Sequence, residues 1–284
     1  MTTASVNERI QLAVKGEGGS TCSTSLAKGP WEFDRGVAEY GPGASSEDHI
    51  PTGSPVQAQI PAEYRAATEE DLHARIRAAK ETLGSDLVVL GHFYQRDEIV
   101  QHADYLGDSY QLAVAATKHD EAKYIVFCGV HFMAETADVL SNDNQQVILP
   151  NLAAGCSMAD MADVASVEDC WEQLTELYGT EPNAEGKVPV IPVTYMNSSA
   201  ALKAFCGRNG GIVCTSSNAQ TVLEWAFERA ERVLFFPDQH LGRNTALAMG
   251  VPLNQMPLWW GRKALGGNDA QVLRDSKVIL WNGF

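Results

Sequence analysis

No C-x-x-C pair joins any of the six cysteines, Cys22, Cys128, Cys156, Cys170, Cys206 and Cys214. That excludes zinc-ribbon and thioredoxin-type motifs and means that any metal-binding thiol must find its partner ligands far away in the chain. The histidines are equally scattered: His102, His131 and His240 show no H-x-x-x-H spacing. No uninterrupted apolar run approaches the roughly 20 residues needed to cross a bilayer. The opening stretch MTTASVNERIQLAVKGEGG has no apolar block followed by a cleavage site, so neither an anchor nor a secretory signal is expected. Positive charge is scarce, with 21 Lys and Arg against 36 Asp and Glu and a formal net charge of −15. Such a surface repels phosphate backbones and anionic lipid, which argues against nucleic acid or membrane as partner. It leaves room for small anionic substrates held by local donors at helix N-termini. A cytoplasmic protein with reduced thiols is the expectation.

What the chain does contain is enough apolar material, 45% of 284 residues, to bury one large core or two smaller ones. Residues 1–57 are rich in Gly, Ser, Thr and Pro without apolar periodicity and read as a flexible extension that includes Cys22. Regular structure is expected from Ile60-Pro61. Thr68 can cap a helix with Asp71 at its third position, Leu72, Ile76, Ala79 and Leu83 share one face, and Gly84 ends it. Short β-branched runs then alternate with helix-like stretches: LVVLGHFYQ, GDSYQLAVAATKH, YIVFCGV, HFMAETADVLS, VILPN and AAGCSMADMA. This alternation predicts parallel α/β layers.

The same order recurs. The helix SVEDCWEQLTELYG precedes the strand VPVIPVTYMN. GIVCTSSNAQTVLEWAFERA answers GDSYQLAVAATKH, RVLFFPDQHLGRNTA answers YIVFCGVHFMAETA, and KVILWNGF answers QVILPNLAAG. Phe127 and Phe235 are offset by 108 residues and Val147 and Val278 by 131, the difference being insertions. Two copies of one αβα unit with a short parallel sheet are predicted, over residues 58–157 and 158–284. Extended to Cys156, just after VILPN, the repeat places the equivalent position at or just past Phe284.

Ligands of open α/β sheets bind at the carboxyl ends of strands, which singles out the loop Gly91–Gln95. It brings the His92 imidazole and the Tyr94 phenol to one edge; as plain loop caps the two would look much the same. Ser109 and Ser216 occupy matching places in the two copies, each at the start of a helix after a strand. There a hydroxyl and exposed amides suit a carboxylate or phosphate, or serve as ordinary N-caps. Tyr195 and Asn197 stand in the second copy where the GHFYQ loop stands in the first. Asn both donates and accepts and so suits an imine or amine beside a carboxylate, or it caps the helix over SSAALKAF. Cys156 follows Gly155 in a loop opening the stretch SMADMA, where helix N-terminal amides would stabilise a thiolate. Cys128 and Cys214 lie in strands as small hydrophobes; Cys170 and Cys206 lie on helices. Glu135 receives no role from its spacing.

The ordered set GHFYQRDE, GDSYQLA, FCGVHFMAETADVLS, LPNLAAGCSMADM, TYMNSSAALKA, VCTSSNA and FFPDQHLGRN resembles the quinolinate synthase family from about residue 60 to the end. The resemblance implies three pseudo-symmetric α/β units around a cavity, of which two are present here. It implies condensation of iminoaspartate with dihydroxyacetone phosphate to quinolinate, in NAD biosynthesis, at a 4Fe–4S cluster held by one cysteine from each unit. Carried over, Cys156 is the first cluster ligand and His92, Ser109, Tyr195, Asn197 and Ser216 are substrate-binding positions. Tyr94 matches a cavity tyrosine with a catalytic part in proton transfer or closure. L-aspartate oxidase is implied as a transient partner. The family's third unit and its two other cluster cysteines have no counterpart in the sequence, so a fragment without activity of its own is expected. The competing reading is a cluster-free α/β protein that binds a small anionic metabolite.

Overall fold

The computed structural model describes residues 60–152 and 154–283, so the extension expected over 1–57 lies outside the described residues. The chain forms two compact units that divide between Gly155 and Cys156.

In the first unit, α1 (Ala62–Ala66) and α2 (Glu69–Leu83) lead into β1 (Leu87–His92). There follow α3 (Asp97–Val100), β2 (Tyr105–Gly107), α4 (Ser109–Ala116), β3 (Tyr124–Cys128), α5 (His131–Leu140) and β4 (Gln146–Ile148). The strands make one sheet in the order β2-β1-β3-β4, every pair parallel. A parallel sheet needs crossover connections, and the helices between strands supply them. Leu90, Ile125 and Phe127 are fully buried in it, with Leu112, Ala113 and Ala116 of α4 and Phe132, Met133 and Ala137 of α5 also buried.

The second unit runs α6 (Val164–Tyr178), β5 (Ile191–Tyr195), α7 (Ala200–Arg208), β6 (Ile212–Cys214), α8 (Ala219–Arg229), β7 (Val233–Phe236) and α9 (His240–Ala248). It ends with β8 (Leu258–Trp259), α10 (Ala270–Arg274) and β9 (Val278–Trp281). Its sheet has the order β6-β5-β7-β9-β8, again all parallel. Alternate residues of the central strands feed two cores. Val233, Phe235, Val278 and Leu280 share a core with α8 and with Ala246 of α9, while Leu234, Phe236, Ile279 and Trp281 join Val167, Leu174 and Phe205. Continuous burial on both faces is the signature of a sheet covered by helices on each side.

The repeat is visible in the hydrogen-bond register. Ile125 pairs with Val147 in the first unit and Val233 with Val278 in the second, reproducing the offsets of 108 and 131 residues. Leu90 pairs with Phe127 as Val193 pairs with Phe235, which makes His92 and Tyr195 equivalent ends of equivalent central strands. The inserted residues are β8, α10 and the turns around them, placed between α9 and β9.

Two local expectations change. Thr68 does cap α2, accepting from the Asp71 amide at 3.2 Å, and Gly84 ends it at φ 52°. Yet the face carrying Leu72, Ile76, Ala79 and Leu83 buries nothing: α2 has no buried residue. Its counterpart α6 buries Val167, Cys170 and Leu174, in a core that the insertion completes with Trp259 and Leu273. SMADMA is the other change, since it forms only a short 3-10 turn over Ala159–Met161. Too few amides align there for a helix dipole to act on the Cys156 thiol.

Candidate functional site at the carboxyl edges of the sheets

In the first unit the carboxyl edge is built by β1 and β2. His92 ends β1 opposite Gly107 and is 4% exposed. Its Nδ1 accepts from the Tyr94 backbone amide at 3.3 Å, and its ring lies against Phe93 and Tyr94, with centroids 4.4 and 3.9 Å away. Burial pushes the imidazole down to about 4, with the Asp108 carboxylate opposing that shift. At neutral pH His92 is therefore uncharged. With Nδ1 accepting, the ring proton sits on Nε2, which has no hydrogen bond among the described residues. The edge thus presents a neutral, partly desolvated N–H donor to a ligand oxygen.

Ser109 is nine-tenths buried, but it is not the cap of α4. Asp108 fills that role in a reciprocal box with Gln111, accepting from the Gln111 amide at 2.8 Å while Gln111 Oε1 accepts from the Asp108 amide at 3.2 Å. With the cap supplied next door, the Ser109 hydroxyl makes no hydrogen bond among the described residues and remains available at the first turn of the helix. Tyr94 is 45% exposed in the turn after β1.

In the second unit Tyr195 ends β5 opposite Cys214 and is half-buried. Asn197 does not cap α7; Ser199 does, its Oγ accepting from the Leu202 amide at 3.3 Å. The Asn197 side-chain amide instead reaches Met158 Sδ at 3.9 Å. Ser216 departs from its expected place: it is exposed, in a turn ahead of α8, with Asn218 between it and the helix. The loop from Cys156 crosses the same edge, since Trp281 Nε1 donates to the Met161 carbonyl at 2.9 Å. Cys156 is half-buried in that loop.

The other thiols are less suited to bind anything. Burial holds Cys170 and Cys206 far above the usual thiol range and pushes Cys214 up to about 12, with Asp238 adding to the last. Cys128, expected to be buried, is half-exposed, and burial still raises its pKa.

Asp238 was not singled out from the sequence. It is 4% exposed after β7, and Oδ2 accepts from the His240 and Leu241 amides at 3.0 and 3.4 Å. Oδ1 is buried without a hydrogen bond among the described residues. An acid two residues ahead of a helix is the signal that could have found it. The edge also repeats an i,i+4 pair: His131 Nε2 lies 3.3 Å from Glu135, and at the equivalent place in the second copy Arg243 donates to Gln239 at 2.5 Å.

A cavity of about 700 Å³ lies at the opposite, amino edge of the second sheet, lined among others by Lys187, Glu231, Arg232 and Lys277. Arg232 is committed there to structure. It donates to the Arg274 carbonyl at 2.6 Å and to Glu231 at 2.8 Å, and it stacks on Tyr178.

The family model described as quinolinate synthetase A protein matches residues 74–284. The quinolinate synthase of Corynebacterium glutamicum is 67% identical over 245 residues, 86% of this chain and 60% of the relative. That of Rhodopirellula baltica is 55% identical over 231 residues, 78% of this chain and 57% of its own length. That of Bacillus cytotoxicus is 53% identical over 232 residues, covering 81% and 60%. The chain spans about 60% of the length of these relatives. A match over three-quarters of the chain, at more than half identity to several relatives, makes it a member of the quinolinate synthetase A family.

Proposed function

We propose that this chain carries the substrate-binding edges of two α/β units of a cytoplasmic quinolinate synthase, which condenses iminoaspartate with dihydroxyacetone phosphate. The observation that carries the reading is the buried, neutral His92, whose Nε2 makes no hydrogen bond among the described residues, at the end of a strand paired with Gly107, two residues ahead of a Ser109 hydroxyl that likewise makes none there. Such groups donate to a ligand oxygen without first giving up a protein bond, and burial strengthens the contact. Tyr195, at the equivalent end of β5, and Asn197 are the corresponding substrate-binding positions of the second unit, and Ser216 adds an exposed hydroxyl. Tyr94, whose ring lies 3.9 Å from that of His92, takes part in proton transfer or closes over a bound substrate. L-aspartate oxidase, as the source of an imine that water destroys, is the proposed partner.

The family's 4Fe–4S cluster asks for several thiolates. Among the described residues no group of three or more His, Cys, Asp or Glu is arranged to hold a metal ion. Cys156, half-buried in a loop, fits one ligand position and no more. These residues alone do not fit the cluster, and the proposed chain as it stands makes no quinolinate.

The test is to extend the chain with the matching remainder of the Corynebacterium glutamicum relative and purify it without oxygen. A brown protein forming quinolinate, with both properties lost in Cys156→Ser, supports the reading. A colourless, air-stable protein that binds a small anionic metabolite supports the competing one.

A further inference from the structure

Helix α2 is attached to its unit by polar contacts where its counterpart α6 is attached by a core. Lys80 Nζ donates to the His102 carbonyl at 2.5 Å and to Asp104 Oδ1 at 2.8 Å, and Asp104 Oδ2 accepts from the Val89 amide of β1 at 2.9 Å. His73 Nδ1 meets His102 Nε2 at 2.7 Å, the rings 4.9 Å apart at 40°. His102 is 8% exposed, in the turn ahead of β2. On its outer side His73 Nε2 lies 3.3 Å from Glu69 Oε1 and 3.2 Å from Gln101 Nε2.

Two imidazole nitrogens 2.7 Å apart can bond only through a single proton between them. The outer nitrogen of His73 faces Glu69 Oε1 and Gln101 Nε2. With both rings carrying both of their protons, two N–H groups point at each other and the bond becomes a repulsion. We propose that the His73–His102 pair is an acid-released latch that fastens α2 to the edge of the first sheet.

The surroundings set the direction. From α2 the groups facing the pair are Glu69, Arg77 and Lys80; from the α3–β2 segment they are Glu98, Gln101 and Asp104. Burial, then His73, Lys80 and Arg77, hold His102 below its ordinary range. Glu98, paired with Arg96, senses the charge on His73. A histidine with a depressed folded-state pKa favours the attached state fully above its unfolded value of about 6.5 and progressively less as pH falls below it. No buried side chain of α2 compensates for the loss. The latch acts at the start of β2, whose far end carries Gly107 and leads to Ser109, so its release slackens one wall of the candidate site.

The test is hydrogen exchange of the 284-residue chain at pH 7.5 and pH 5.0, corrected for intrinsic rates. Protection of Glu69–Leu83 is expected to fall about tenfold or more at pH 5.0, while β3 keeps its own. His102→Gln, which can accept or donate but not charge, is expected to remove that difference. If His102→Gln loosens α2 at both values, NMR titration of the wild-type imidazoles decides. Release tracking a His102 midpoint below 6.5 supports the latch; release at another pH overturns it. Equal protection of α2 at both pH values also overturns it.

Discussion

His92 shows how a sequence places a reactive group and a structure sets its state. Its position at the end of LVVLGH follows from the strand, but its charge depends on burial that no local pattern records. The folded-state pKa of about 4 lies below the unfolded value, so the neutral ring contributes stability that is complete above about 6.5 and declines as pH falls towards 4. NMR titration of the His92 ring is expected to give a midpoint near 4; a midpoint near 6.5 would mean that the ring is solvated. Asp108→Ala removes both the cap of α4 and the carboxylate that opposes this shift. It is expected to cost about 1 kcal/mol in denaturant unfolding and to move the His92 midpoint lower still. Asp108→Asn, which keeps the cap, separates the two effects. In the extended enzyme His92→Gln is expected to lower turnover by roughly 10²–10³, as for loss of one preorganised donor, with the brown colour unchanged.

Elements were legible where their signals are local. Thr68 and Gly84 bounded α2 and the β-branched runs gave the central strands, because caps and short continuous apolar runs are written in neighbouring residues. The failures came from tertiary packing. The apolar face of α2 looked like a core face, and α6 does use the equivalent face. The difference is an insertion more than a hundred residues away, between α9 and β9, which puts Trp259 and Leu273 over α6 and has no counterpart in the first unit. The caps of α4 and α7 are Asp108 and Ser199, so the capping alternative weighed for Ser109 and Asn197 does not apply to either. Two substitutions test this packing. Trp259→Ala, fully buried, is expected to cost about 3–5 kcal/mol. Gly242→Ala in α9 would set a methyl 2.7 Å from the Phe235 ring and 2.9 Å from Leu280, and is expected to cost about 1–3 kcal/mol. An urea midpoint unchanged by Gly242→Ala would mean that α9 packs more loosely on β7 and β9 than described.

At the scale of the molecule the repeat organises everything else. Equivalent registers carry His92 to Tyr195 and Gly107 to Cys214, so each sheet brings polar side chains to its own carboxyl edge. The family match over residues 74–284 follows the same span. Among the described residues Cys128, Cys170, Cys206 and Cys214 sit within secondary structure, and Cys156 occupies a loop. The most direct measurement is quinolinate formation from iminoaspartate and dihydroxyacetone phosphate by the anaerobically purified, extended chain, beside its His92→Gln and Cys156→Ser forms. The account predicts an active brown protein, a brown but crippled His92→Gln, and a colourless, inactive Cys156→Ser. A folded extended chain that makes no quinolinate, or a Cys156→Ser form that keeps both colour and turnover, would contradict it.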